Sequence, residues 1–315
     1  MALQRQVFRA NVAKSSLRKM KTTMVGMAIL ALAAQASNAA LVLYLDPNEL
    51  STMFGASGLG DPLEIGDTTR FITDVRSPTP GGNALDDWID LEGNADSPVI
   101  VAHPTQGSVW SFDGVNDRML VKSVDDTPAG GQQDGFGTAF NTNTLTTIVV
   151  GRNSSAGDGL DHAFDFFEDA SVFEGFGIRY DHDNSQLNGF ANQTGDTPVS
   201  LAADEWFVAT YVWNGPASTA TLTVQTASGI STATDNSASS DPLFNVSEMR
   251  LGRRTGGGDR GYWNGEMGDL LIYNDVEDHS DVARLLAVEY LVPEPAGMSI
   301  ALLSVAGIFA WRKRS

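Results

Sequence analysis

The chain has no cysteine among its 315 residues. Disulfides, thiolate chemistry and cysteine zinc sites are therefore excluded. Whatever folds here is stable through its core alone, which a large domain can manage. Basic residues are scarce between residues 40 and 295, where Lys122 is the only lysine. In that stretch 11 Lys and Arg stand against 39 Asp and Glu, a formal net charge of −28. Such a surface repels nucleic acid and anionic lipid and attracts cations. Two readings stay open: solubility in a salty medium, or divalent-cation binding. Long apolar runs are also missing from the middle and occur only at the two ends. The middle is thus a soluble region of roughly 250 residues, enough for one large β-sandwich.

The ends hold the other nine basic residues: Arg5, Arg9, Lys14, Arg18, Lys19, Lys21, Arg312, Lys313 and Arg314. At the N-terminus a basic stretch closes on Lys21, an uncharged apolar run follows to about Ala34, and small residues reach Ala39 and Ala40. This is the order of a secretory signal peptide over residues 1–39, cut by signal peptidase after Ala39 or Ala40. Met20 is an alternative start, and an uncleaved membrane anchor is the alternative reading. At the C-terminus Val292-Pro293-Glu294-Pro295 precedes an uncharged run over residues 296–311, and Arg312-Lys313-Arg314-Ser315 follows. Basic residues after an apolar helix hold that end in the cytoplasm, so the preceding domain faces outward. Two prolines stop the helix before them and leave an extended strip for a processing protease.

Residues 292–315 resemble the PEP-CTERM sorting signal: Pro-Glu-Pro, a transmembrane helix and a basic tail. The resemblance implies recognition by an exosortase and cleavage near Pro293, Glu294 and Pro295. It implies transient anchoring in the inner membrane of a Gram-negative-type bacterium, then delivery to the cell surface or exopolysaccharide matrix. A plain tail anchor is the alternative.

From Leu41 onward the pattern is strands and turns. Short β-branched or aromatic runs at residues 41–45, 109–112, 118–121, 145–150, 173–180, 206–213, 219–224, 249–253 and 267–273 are separated by Gly, Asn and Asp. That pattern predicts an all-β antiparallel sandwich. One helix is expected over residues 280–290, with Ser280 as its cap, Asp281 at its positive end and Val282, Leu285 and Leu286 at helical spacing. Residues 226–241, rich in Ser, Thr, Ala and Asp, predict a long surface loop or a weak hairpin.

Four segments, in order, resemble a LamG-like domain of the concanavalin A-like lectin/glucanase superfamily. They are Asp87-Trp88-Ile89-Asp90-Leu91-Glu92-Gly93-Asn94; Trp110-Ser111-Phe112-Asp113-Gly114-Val115-Asn116-Asp117-Arg118; Trp206-Phe207-Val208-Ala209-Thr210-Tyr211; and Leu251-Gly252-Arg253-Arg254 with Trp263-Asn264-Gly265-Glu266-Met267-Gly268-Asp269-Leu270-Leu271-Ile272-Tyr273. The resemblance spans residues 40–291 and implies a two-sheet jelly roll with a short C-terminal helix. Asp269 stands where the family often has Glu.

That superfamily includes glycoside hydrolases whose retaining members carry Glu-x-Asp-x-(x)-Glu on one strand, two Glu serving as nucleophile and acid/base. The nearest match is Ala163-Phe164-Asp165-Phe166-Phe167-Glu168, with Ala163 at the nucleophile position. No covalent intermediate forms by that route, so no catalytic residue is assigned and a non-enzyme is expected. Asp158, Asp161, Asp181 and Asp183 flank His162 and His182 and are candidate calcium ligands; hydrated hairpin turns are the alternative. Asp113 and Asp117 read as turn formers. Sugar faces stack on exposed rings. Tyr262 and Trp263, after the glycine-rich stretch at residues 255–261, are the candidate glycan-binding rim; packing within a hairpin is the alternative. Calcium is the only cofactor suggested. Expected partners are signal peptidase and exosortase during processing, the membrane through the C-terminal helix, and an extracellular polysaccharide or surface partner. Nucleic acid is not expected. The functions left open are a non-catalytic glycan-binding or adhesive module, a purely structural surface protein, and a diverged glycoside hydrolase.

Overall fold

The computed structural model describes residues 41–48, 53–54, 65, 71–72, 88–90, 97–103, 107–122, 140, 142–157, 159–167, 175–192, 196–243, 246, 248–253 and 261–292. Both terminal segments, with Ala39, Ala40, Pro293, Glu294, Pro295, Arg312, Lys313 and Arg314, lie outside the described residues. Among the described residues no helix is long and apolar enough to cross a membrane.

Two antiparallel sheets face each other. The first runs β15 (Gly229–Asp235), β14 (Thr219–Thr226), β13 (Trp206–Asn214), β8 (Thr144–Asn153), β17 (Asn264–Tyr273), β6 (Ser108–Asp113) and β5 (Val99–Ala102), with β1 (Leu41–Leu45) also paired to β17. The second runs β12 (Thr197–Ser200), β11 (Gln186–Ala191), β10 (Gly175–Asp181), β9 (Leu160–Phe167), β16 (Glu248–Leu251), β7 (Met119–Lys122) and β4 (Trp88–Asp90). β2 (Met53–Phe54) and β3 (Phe71–Ile72) form a separate short ribbon, with β3 near β4. The fold is the expected all-β sandwich.

Alternation along each strand fills the space between the sheets. Phe164 and Phe166 of β9, Phe176 of β10, and Tyr211 and Trp213 of β13 all belong to this core. Their rings form a chain: Phe166 to Phe176 at 5.9 Å, then Phe176 to Tyr211 at 5.2 Å and to Trp213 at 6.2 Å. A second apolar layer lies on the outer side of the first sheet. There Ile148, Val150, Val208, Leu271 and Tyr273 pack against Val282, Ala283, Leu286 and Tyr290 of helix α1 (Ser280–Tyr290). One outer face is therefore covered by a helix; among the described residues no helix covers the outer face of the second sheet.

One local expectation is corrected, and one left open is decided. Ser280 does not cap the helix: His279 holds that position, and Asp278 Oδ1 accepts the Ser280 amide at 2.9 Å. Of the two alternatives for residues 226–241, the hairpin is the one observed: β15 pairs with β14 over seven positions in a Thr-lined ribbon. Thr221 and Thr234, and Thr223 and Thr232, sit hydroxyl to hydroxyl at 3.1 Å across it.

Candidate functional site

The outer face of the second sheet is defined by elimination. On β10, Phe176, Ile178 and Tyr180 point into the core, so Gly175, Gly177, Arg179 and Asp181 point out. On β16, Met249 and Leu251 are core and Arg250 points out. On β11, Leu187 and Ala191 are core, and Asn188 and Phe190 point out. The registers align these outward residues into two rows. One contains Phe190, Gly177, Asp165 and Arg250; the other contains Asn188, Arg179 and His162.

Each row has a clear physical logic. A Cβ on Gly177 would lie 2.7 Å from Phe190 Cζ, so only glycine lets that ring settle over β10. Arg179 spans the rows: its guanidinium carbon lies 5.2 Å from the Phe190 ring centroid. Its Nη2 donates to both carboxylate oxygens of Asp196, at 2.5 and 2.6 Å. His162 meets the same ring edge-on at 5.8 Å, and its Nδ1 lies 3.6 Å from Asp165 Oδ2. The pairing of β9 with β10 shifts at Ala163, which has no partner between His162 and Phe164. That bulge places His162 and Asp165, three residues apart, on one face. Phe190, Arg179 and Arg250 are half-buried, while His162, Asp165 and Asn188 are buried.

The same bulge settles where the glucanase-like segment lies. Ala163 is fully buried within the core, and its carbonyl accepts the Gly252 amide at 2.9 Å. Asp165 faces outward, and Glu168 lies outside the described residues.

The glycan-binding rim drawn at Tyr262 and Trp263 is corrected by burial. Trp263 is 0% exposed, packed edge-on to Phe207 at 6.3 Å, and its Nε1 donates to the Glu266 carbonyl at 3.4 Å. Tyr262 is 8% exposed, with the Arg253 guanidinium 5.1 Å over its ring and Arg118 Nη1 donating to its hydroxyl at 3.4 Å. Neither ring face is open to stack on a sugar.

The acidic candidates do not converge. Asp161 is buried and accepts from Asn153 Nδ2 at 3.2 Å, with His182 Nε2 at 2.8 Å. Burial raises its carboxyl above the usual range, and those hydrogen bonds offset part of the rise. Asp181 accepts from the backbone and side-chain nitrogens of Asn184 at 3.2 and 2.8 Å, shaping the turn from β10 to β11. Asp183 is exposed in that turn, and Asp158 lies outside the described residues. Among the described residues no group of three or more His, Asp or Glu side chains could hold a metal ion. Asp113 is a turn former: its Oδ1 accepts the Val115, Asn116 and Asp117 amides, and Asp117 Oδ2 accepts the Asp113 amide.

A further polar cluster was not identified from the sequence. Beneath α1, Asp46, Asp269 and Glu289 gather around the Tyr44 and Tyr290 hydroxyls. Tyr290 donates to Asp269 Oδ2 at 2.6 Å, Tyr44 to Asp46 Oδ2 at 3.3 Å, and Asn48 Nδ2 to the Tyr290 hydroxyl at 2.8 Å. Burial first, then the neighbouring carboxylates, pushes Asp269 well above the usual range. The same two causes push Glu289 up to about 8. The only sequence signal was Asp269 itself, an acid between apolar neighbours on a strand.

No protein-family model and no curated protein matches the chain. Solved structures do resemble it. One is the CBM40 domain of the Ruminococcus gnavus IT-sialidase bound to α2,3-sialyllactose, at 10% identity over 54% of this chain and 90% of that one, TM-score 0.39. Another is the binding domain of botulinum neurotoxin serotype D, at 7% identity over 78% and 50%, TM-score 0.48. A third is the Trypanosoma rangeli sialidase, at 11% identity over 74% and 32%, TM-score 0.43. The chain spans half or less of the latter two.

Proposed function

We propose that this chain is an exported surface or matrix protein. In this reading its sandwich is a non-catalytic glycan-binding module acting through the outer face of the second sheet. One observation carries the binding part: a half-buried aromatic, Phe190, stands beside a guanidinium and a row of buried polar side chains on a face that no helix covers among the described residues. A sugar ring needs that combination, an apolar face to stack on and polar groups for its hydroxyls. The non-catalytic part is supported by Ala163, which supplies no carboxylate where a retaining hydrolase keeps its nucleophile.

A glycan array probed with the purified protein, with and without calcium, tests binding. Phe190→Ala should weaken any hit by tenfold or more, and undiminished binding would remove this face from consideration. Release of reducing sugar from β-glucans would overturn the non-enzymatic reading. Arg179 already stacks on Phe190 and pairs with Asp196, which favours a second reading, a structural surface protein whose face is satisfied internally. A blank array supports that reading.

Export and sorting rest on the terminal segments. Signal peptidase acts at Ala39 or Ala40, and an exosortase acts at Pro293-Glu294-Pro295 while residues 296–311 anchor the chain. Replacing Pro293, Glu294 and Pro295 with alanine should leave the protein in the inner-membrane fraction. Unchanged delivery to the surface would refute the sorting role.

A further inference from the structure

We infer that the ligand of this outer face is an acidic glycan, bearing carboxylates or sulfates, met by Arg179 and Arg250. The inference rests on the glycan-binding reading and narrows it to a ligand class.

Charge placement carries the argument. The region between residues 40 and 295 has a net charge of −28, yet its cations are not spread evenly. The described residues include seven Lys and Arg: Arg118, Lys122, Arg152, Arg179, Arg250, Arg253 and Arg284. Arg152 belongs to the first sheet, where its Nε and Nη2 hold Glu266 at 2.6 Å. Arg284 sits on α1 beside Asp281 at 3.1 Å. The other five belong to the second sheet or the turns at its strand ends. The strands of the same sheet also carry Asp90, Asp161, Asp165, Asp181 and Glu248, so the grouping makes this sheet mixed in sign where the region as a whole is acidic, which lets an anion approach its guanidinium groups.

Position sharpens the point. Arg179 on β10 and Arg250 on β16 both point outward, with β9 between them. In an ideal sheet, positions two strands apart and two residues offset are about 12 Å apart. That span suits charges on nearby units of one saccharide chain. In the row shared with Arg250, Asp165 stands directly across from Arg250, and Gly177 and Phe190 follow it, so the apolar shelf adjoins the Arg179 guanidinium and lies one strand beyond Arg250.

The Arg179–Asp196 pair is suited to exchange. Its side chains are 22% and 40% exposed, and exposed pairs contribute little net stability. Only Arg179 Nη2 holds Asp196, and a ligand carboxylate or sulfate that takes its place can form the planar, bidentate pair a guanidinium favours. A neutral glucan offers nothing in return for breaking that pair.

The test is calorimetric titration of the full chain in detergent with four probes of matched length. They are an oligogalacturonate, a sulfated dextran oligosaccharide, a neutral dextran oligosaccharide and oligoglutamate. The expected result is that one or both acidic saccharides bind at least tenfold more tightly than the neutral one and oligoglutamate. Arg179→Gln and Arg250→Gln should each remove about tenfold, Arg179→Lys and Arg250→Lys should retain part of it, and Arg284→Gln should retain all of it. Thermal melts run alongside separate loss of the site from loss of the fold. Neutral dextran binding as tightly, with the Arg→Gln variants unaffected, overturns the acidic assignment and leaves the glycan reading standing. Oligoglutamate binding as tightly also overturns it, because charge alone would then suffice. If no saccharide binds, both readings fall.

Discussion

Trp263 contacts Phe207, while its indole nitrogen reaches the Glu266 carbonyl three residues on, in the strand it leads into. A side chain so placed belongs to the core, and truncating it leaves a cavity. Trp263→Ala should cost about 3–5 kcal/mol in urea unfolding. Phe190→Ala, half-buried on the outer face, should cost far less stability and far more binding. The two substitutions therefore separate packing from the proposed recognition. Gly157 offers a third probe. A Cβ there would lie 2.1 Å from His182 Nε2 and 2.7 Å from Asp161 Oδ2. Gly157→Ala should push His182 off Asp161 and lower stability by about 1–3 kcal/mol, measurable as a drop in melting temperature. The aromatic types at residues 262 and 263 were legible in the sequence, but their burial was not. A ring after a glycine-rich stretch is compatible with a rim or a core, and only the crossing of Gly261–Trp263 against β9 and β16 decides. That crossing is held by the His162 amide on the Gly261 carbonyl and the Trp263 amide on the Gly252 carbonyl.

Helix α1 was legible from its apolar spacing, yet what it covers was not. It closes over a set of carboxyls on three different elements: Asp46 beyond β1, Asp269 on β17 and Glu289 on α1 itself. Asn48 ties the assembly together, accepting the Ser108 amide at 2.7 Å while donating to Tyr290. Gly107, at φ +49°, lies against the Asn48 side-chain oxygen, where a Cβ would collide. Because Glu289 and Asp269 have raised pKa values in the fold, the folded state holds their protons more tightly than the unfolded chain does. Their contribution is complete below about pH 4.5 and is lost as pH rises through about 8, the folded value for Glu289. His103, between Trp206 and Tyr290, is lowered to about 4 by burial and by the Arg152 charge, and acts in the opposite direction. Its contribution is complete above about pH 6.5 and fades as pH falls. The two effects oppose each other between about pH 4.5 and 6.5, and only the carboxyl effect remains above that range. Melting temperature should therefore fall between pH 6.5 and 8.5, and Glu289→Gln should flatten that slope. An unchanged slope in the variant would show that the cluster does not govern it.

At the scale of the whole molecule, a charge of −28 between residues 40 and 295 means self-repulsion in the folded state. Raising sodium chloride from about 0.02 to 0.5 M shortens the screening length severalfold and should raise the melting temperature. A flat response would place the acidic groups too far apart to matter. The sequence by itself determined the β class, the final helix and the acidic balance. It also marked the two terminal segments on which the expected route of export rests. These properties are local or additive: period-two patterning, turn residues, charge counts and apolar runs can be read within a short window. The tertiary structure alone decided which outer face a helix covers, which aromatics are buried, and which distant acids share one pocket under α1. It also decided that five of seven described cations gather at one sheet, because strands far apart in sequence lie side by side there. The bulge at Ala163 is the smallest instance. One unpaired residue breaks the alternation that strand patterning assumes, and so decides which side chains share the outer face of the sheet.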